Sequence, residues 1–87
     1  MTRREYLIID EAGLHARPAS LLVRVATSFQ DEVFIEFKDK RLTLKSIMAV
    51  MSLGVPKDST IVIEVVGDNE EKAFEEIEKV LTEHGLI

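Results

Sequence analysis

Cysteine is absent from the sequence. That absence excludes disulfides, thiolate nucleophiles and Cys-based zinc sites together. It also fits a reducing cytoplasm. Cations are in the minority, 11 Lys and Arg against 16 Asp and Glu, for a formal net charge of −5. Affinity for a phosphate backbone comes from Lys and Arg displacing counterions, so direct nucleic-acid binding is not expected. Long apolar runs are missing as well. Nothing approaches the ~20 residues of a membrane span. The segment Met1-Thr2-Arg3-Arg4-Glu5 is followed by only four apolar residues, Tyr6 to Ile9, whereas a secretory signal needs about 7–15. The expectation is a soluble, cytoplasmic protein with no membrane insertion.

What is present is a short, well-patterned chain. Its 87 residues suffice for one domain, expected over 1–87. A chain of this size buries roughly 60–65% of its unfolded surface, so almost every element must contribute to a small core. There are no repeats, low-complexity segments or linkers. Glu5 to Ile9 reads as a strand and Asp10 to Gly13 as a loop. Ala19, Leu22, Val23 and Ala26 then recur at helical spacing, and Pro18 suits a first turn, where its missing N–H costs nothing. The spacing predicts a helix from about Ala16 to Ser28. Val33, Ile35 and Phe37 alternate with Phe34, Glu36 and Lys38, Asp39-Lys40 offers a turn, and Leu42 and Leu44 alternate with Arg41 and Thr43 in a return strand. Ser46 as N-cap and Gly54 past the end bracket a short helix. Pro56-Lys57-Asp58 makes a turn, and Ile61, Ile63 and Val65 mark a last strand. Asp68 and Glu71 resemble a capping box for a helix carrying Ala73, Phe74, Ile77, Val80 and Leu81, ended by Gly85. The order β-α-β-β-α-β-α predicts an α+β domain: a four-stranded antiparallel sheet with its three helices on one face. Ile9, Phe34 and Val62 then fall on the open face.

The most informative stretch is Gly13-Leu14-His15-Ala16-Arg17-Pro18-Ala19. His15 precedes the helix that Pro18 opens. A helix start carries free N–H groups and the positive end of the macrodipole, which stabilises an anion and disfavours a charged ring. His15 is therefore placed as a neutral nucleophile, and Arg17 can supply a fork of donors to an anion. Gly13 can adopt the backbone conformation that aims the ring outward. These residues define an anion site with a nucleophile, and leave open whether the anion is a phosphoryl, sulfate or carboxylate group. Ser46 can act as a helix N-cap and also as a phosphorylation site, where a phosphate adds about −1.5 to −2 charge to a docking surface. Ile47, Met48, Val50, Met51 and Leu53 cannot all face inward on so short a helix, so part of this set is expected to form an exposed docking patch. Ser20, Arg24 and Thr27 form the outward stripe of the first helix. Arg17 and Arg24 make it locally basic, which suits an acidic partner. His84 reads as a favourable cation at a helix C-terminus. Two His without Cys predict no metal site, and no glycine-rich nucleotide loop is present.

Gly13 to Ala19 resembles the active-site signature of HPr, the histidine-containing phosphocarrier of the bacterial phosphoenolpyruvate-dependent sugar phosphotransferase system. Lys45-Ser46-Ile47-Met48-Ala49-Val50-Met51-Ser52-Leu53-Gly54 resembles the same family's serine-site signature. The resemblance covers essentially the whole chain, including the spacing between the motifs. It implies an open-faced β-sandwich and a carrier that is not itself an enzyme and needs no cofactor. His15 would accept a phosphoryl group on a ring nitrogen from enzyme I and pass it to sugar-specific IIA domains, with Arg17 steadying the group. Ser46 would be the target of a regulatory kinase and phosphorylase, its phosphorylated form acting as corepressor partner of a catabolite-control repressor. Ser20, Arg24, Ile47, Met48 and Met51 would form the docking face of a monomer. Glu11 departs from the neutral residue expected beside the site, where its charge opposes an anion; Leu21 and Pro56 are also less usual. A regulatory module acting through Ser46, and a nitrogen-branch phosphocarrier, are the alternatives. The serine segment is more like the sugar branch, and a paralogue that had lost transfer would be expected to lack His15.

Overall fold

The structure is a computed structural model covering residues 1–87. Its elements run β1 (Thr2–Leu7), α1 (Ala16–Thr27), β2 (Glu32–Phe37), β3 (Lys40–Thr43), α2 (Ile47–Ser52), β4 (Thr60–Val66) and α3 (Glu70–Glu83). The strands form one antiparallel sheet in the order β1-β4-β2-β3. This is the open-faced α+β architecture, with the element order read from the sequence.

Alternation along the strands decides which face the helices cover. Ile61, Ile63 and Val65 of β4 and Val33 and Ile35 of β2 point inward and are essentially fully buried. They meet Ala19, Leu22 and Ala26 of α1 and Ala73, Phe74, Ile77 and Leu81 of α3 in a single core. Each fully buried Leu, Ile or Phe contributes roughly 1.5–3 kcal/mol, so this inner face carries most of the stability. Tyr6 donates its hydroxyl to Glu78 Oε2 at 2.7 Å, and Arg4 reaches the same carboxylate at 3.1 Å while lying 4.6 Å over the Phe74 ring. Edge strand β1 is thus fastened to α3 by polar tips on apolar stems. Burial, with the Glu78 carboxylate beside it, pushes the Tyr6 phenol well up.

The other face is open and polar. Glu64, on that face, is only 5% exposed. Arg41 and Arg3 close over it at 3.2 and 3.1 Å, and both also reach Glu36. These guanidinium groups, Arg41 foremost, hold the Glu64 carboxyl below its usual range. Arg41 also stacks 3.7 Å from the Phe34 ring centroid, covering one of the apolar residues expected on this face. Val62 is half-buried there, whereas Leu7 and Ile9 stay exposed.

Three local expectations are corrected. β1 begins at Thr2 and ends at Leu7, rather than spanning Glu5 to Ile9; Thr2 pairs with Val65, and the Ile8 and Ile9 amides bond instead to Ser59 and Leu86 carbonyls. The β2–β3 turn is Lys38-Asp39, one residue earlier than predicted, with Lys38 at φ +56° and Phe37 paired with Lys40. Asp68 and Glu71 do not form a capping box. Asn69 is the N-cap residue without a side-chain capping bond; its N–H donates to Asp31 Oδ2 at 2.8 Å and its side-chain amide to Asp31 Oδ1 at 3.3 Å, from the loop before β2. The short helix follows its reading closely: Ser46 Oγ accepts from Ala49 N–H at 3.2 Å, and Gly54 adopts φ +59° beyond the end.

Candidate functional site

The loop ahead of α1 is built around Asp10 and Gly13. The Asp10 carbonyl accepts from Gly13 N–H and its Oδ1 accepts from Ala12 N–H, each at 2.8 Å. Gly13 sits at φ +65°, a region L side chains rarely adopt. A Cβ there would run into the backbone of Val55 and Pro56, 2.8 Å from Pro56 Cα. The close approach lets Leu14 N–H bond to the Val55 carbonyl at 2.9 Å and buries the Leu14 side chain. His15 follows directly, in extended conformation (φ −85°, ψ 177°), as the N-cap residue of α1.

Its backbone caps the helix, its carbonyl accepting from Ala19 N–H at 3.1 Å, while its side chain makes no capping bond. The ring is half-exposed, at 42%, with Nε2 3.5 Å from Asp10 Oδ2. The N–H groups of Ala16 and Arg17 have no acceptor within the protein, Pro18 has none to offer, and the first turn holds no acid. The positive end of the helix therefore stands open beside the imidazole. Arg17 and Arg24 are exposed and enter none of the protein's ion pairs. Glu11 is drawn to Lys57 at 2.8 Å, which offsets the charge it brings to the loop.

α1 packs against α2. Val50 and Leu53 of the short-helix segment face the core, leaving Ile47, Met48 and Met51 exposed, Met48 by 82%. Ser20 and Arg24 are exposed on α1, so every residue anticipated for a docking surface is accessible. The three surface depressions, of about 510, 440 and 300 Å³, are lined by residues other than His15. No group of His, Asp and Glu is gathered as a metal site. Asp10, the carboxylate at the ring, is the site residue that sequence reasoning passed over. Its signal was local: Asp two residues before a small residue and three before Gly is an Asx-turn pattern that returns the carboxylate toward the following segment.

A family model described as the PTS HPr component phosphorylation site matches residues 2–83. That defines the class: phosphocarrier proteins of the phosphotransferase relay. Solved structures agree. The histidine-containing phosphocarrier protein of Mycoplasma is 34% identical, with a TM-score of 0.96 over 99% of this chain and 98% of that one. The phosphocarrier protein HPr of Bacillus anthracis is 35% identical, with a TM-score of 0.82 over 91% and 94%. Crh, the catabolite repression protein of Bacillus subtilis, solved as a dimer with a swapped domain, is 34% identical, with a TM-score of 0.72 over 95% of each chain. The chain belongs to the HPr family. No helix is long and apolar enough to cross a membrane.

Proposed function

We propose that this chain works as a single phosphocarrier domain over residues 1–87, taking a phosphoryl group from enzyme I onto His15 and handing it to sugar-specific IIA domains. The observation that carries this reading is the half-exposed imidazole beside two unpaired N–H groups at the start of α1. A phosphoryl group on the ring meets those donors without any rearrangement of the fold. Arg17, free of internal partners, supplies the forked cation that follows the charge during transfer. The exposed Ile47, Met48 and Met51, with Ser20 and Arg24, form the docking face for successive partners, each acidic around its own site. The protein acts in the cytoplasm as a monomer and catalyses no reaction by itself.

The test is intact mass after mixing with phosphoenolpyruvate and enzyme I, before and after mild acid. One acid-labile phosphoryl group is expected on the wild type and none on His15→Ala. Label on the Ala variant, or none on the wild type beside an active enzyme I, overturns the reading.

A second role is supported by the Ser46 cap and by the likeness to Crh. Phosphorylation of Ser46 by a regulatory kinase, reversed by a phosphorylase, adds charge to the rim of the docking face while keeping an anion at a helix start, where it is tolerated. That form serves as partner of a catabolite-control repressor. Should His15→Ala retain regulation in cells that Ser46→Ala loses, the regulatory role stands independently of transfer.

A further inference from the structure

We propose that Asp10 is a positioning residue for His15: it holds the proton of the neutral imidazole on Nε2 and thereby keeps Nδ1 free as the attacking nitrogen. Its use rests on the carrier reading above; its geometry does not.

Asp10 is fixed by its own turn. Oδ1 is occupied by Ala12 N–H and the carbonyl by Gly13 N–H, both at 2.8 Å, which leaves Oδ2 to face the ring 3.5 Å from Nε2. The neighbouring carboxylate, Glu11, is turned to Lys57, so Asp10 is the acid at the imidazole. A carboxylate can only accept, whereas a neutral imidazole has one N–H and one bare lone pair. A lone pair on Nε2 would confront the carboxylate charge, so the proton belongs on Nε2. No side chain or backbone group of the protein bonds to Nδ1.

This arrangement balances transfer in both directions. The Nδ1 lone pair attacks the phosphorus held by the donor protein. The Nδ1–P bond forms as the bond to the donor breaks, its electron pair remaining on the donor. The Nε2 proton stays in place, and the positive charge gained by the ring faces Asp10. On outward transfer the acceptor's nucleophile attacks phosphorus, the Nδ1–P bond breaks, and its pair returns to Nδ1. The ring is again neutral with its proton on Nε2, and no proton has entered or left it.

The experiment compares ¹⁵N spectra of the imidazole in the full chain, at a pH where the ring is neutral, for wild type, Asp10→Asn and Asp10→Ser. Asn keeps an acceptor for Ala12 N–H but presents an amide N–H to the ring, which favours a lone pair on Nε2 and drives the proton to Nδ1. Ser keeps the turn and is too short to reach the ring. The spectra are expected to move toward the Nδ1–H form in the Asn variant, with Ser between it and wild type. The initial rate of phosphoryl uptake from enzyme I is expected to fall about tenfold in the Asn variant, and less in Ser. Identical ring spectra in wild type and Asn, or an uptake rate unchanged by Asn, overturns the proposal. If Asn disturbs the fold, the same comparison of Ser with wild type decides it. If the wild type takes no phosphoryl group, the carrier reading fails while the spectra still decide the role of Asp10.

Discussion

Helices α1 and α3 lie against the same sheet and begin in opposite ways. α3 is closed. Asp31 accepts from Asn69 N–H, Glu70 Oε2 accepts from Gly67 N–H at 3.0 Å, and two acids, Glu70 and Glu71, occupy the first turn. Thr2 adds its hydroxyl to Glu70 at 2.6 Å. α1 has no acid in its first turn, and its Ala16 and Arg17 N–H groups stand open beside a neutral N-cap ring. An acid in the first turn of a helix is worth about 0.3–1 kcal/mol. Neither N-cap side chain bonds its own helix, so the difference is one of charge: internal acids meet the positive end of α3 and none meets that of α1. α2 is the one of the three whose N-cap side chain bonds its own helix, the neutral Ser46 hydroxyl accepting from Ala49 N–H.

The largest expected effect concerns the glycine ahead of each helix. Gly13→Ala requires φ +65° and meets the backbone of Val55 and Pro56, which cannot swing aside. A loss of about 3 kcal/mol is expected in urea unfolding. The equivalent obstacle at Gly67 is the Asp31 side chain, 2.6 Å away at Oδ2. If Gly67→Ala costs as much as Gly13→Ala, the α1 approach is no more constrained than the α3 approach.

Next are the caps themselves. Asp31→Ala is expected to lower stability by about 1–2 kcal/mol and leave phosphoryl uptake unchanged. His15→Ser should do the reverse, gaining about 0.5 kcal/mol by capping α1 while abolishing uptake. A stability loss from His15→Ser would mean that α1 is already satisfied, and would break the comparison.

The smallest effect is in pH. The Thr2 hydroxyl, the terminal ammonium and Gly67 N–H pull the Glu70 carboxyl down to about 2, and Arg41 holds Glu64 below its usual range. A depressed carboxyl contributes stability that is fully present above its unfolded value, about 4.3, and is lost as pH falls toward the folded one. Stability should therefore decline from about pH 4.5 downward, and Glu70→Gln should flatten the decline. An unchanged slope would show that the Glu70 contacts carry no such linkage.

Much of this was legible in the sequence because period reports burial directly. The two-residue period of Ile61, Ile63 and Val65 and the helical spacing of Ala19, Leu22 and Ala26 named the inner face of the sheet and its cover. The Ser46 cap and Gly54 stop were readable because both signals are local. What escaped depends on partners distant in sequence. Arg3 and Arg4 look like a polar flank until Glu36, Glu64 and Glu78 come alongside, and then they belong to β1. Asp31 caps a helix 38 residues away, which no window around Asp68 and Glu71 could reveal. At the site, His15 and Arg17 stood out by residue type and place. The Asp10 carboxylate did not, because an acid in a loop carries no mark of the ring it faces.

The ion cluster on the open face bears on how the molecule is approached. Arg3, Arg41, Glu36 and Glu64 cancel one another, so that side of the sheet contributes little field at a distance. Among the charges that enter no ion pair are carboxylates of α3 and, on α1, Arg17 and Arg24. Arg17 and Arg24 make α1 locally basic within a protein of net charge −5. A basic patch of this kind guides an acidic molecule arriving by diffusion, and added salt weakens such guidance and slows the encounter.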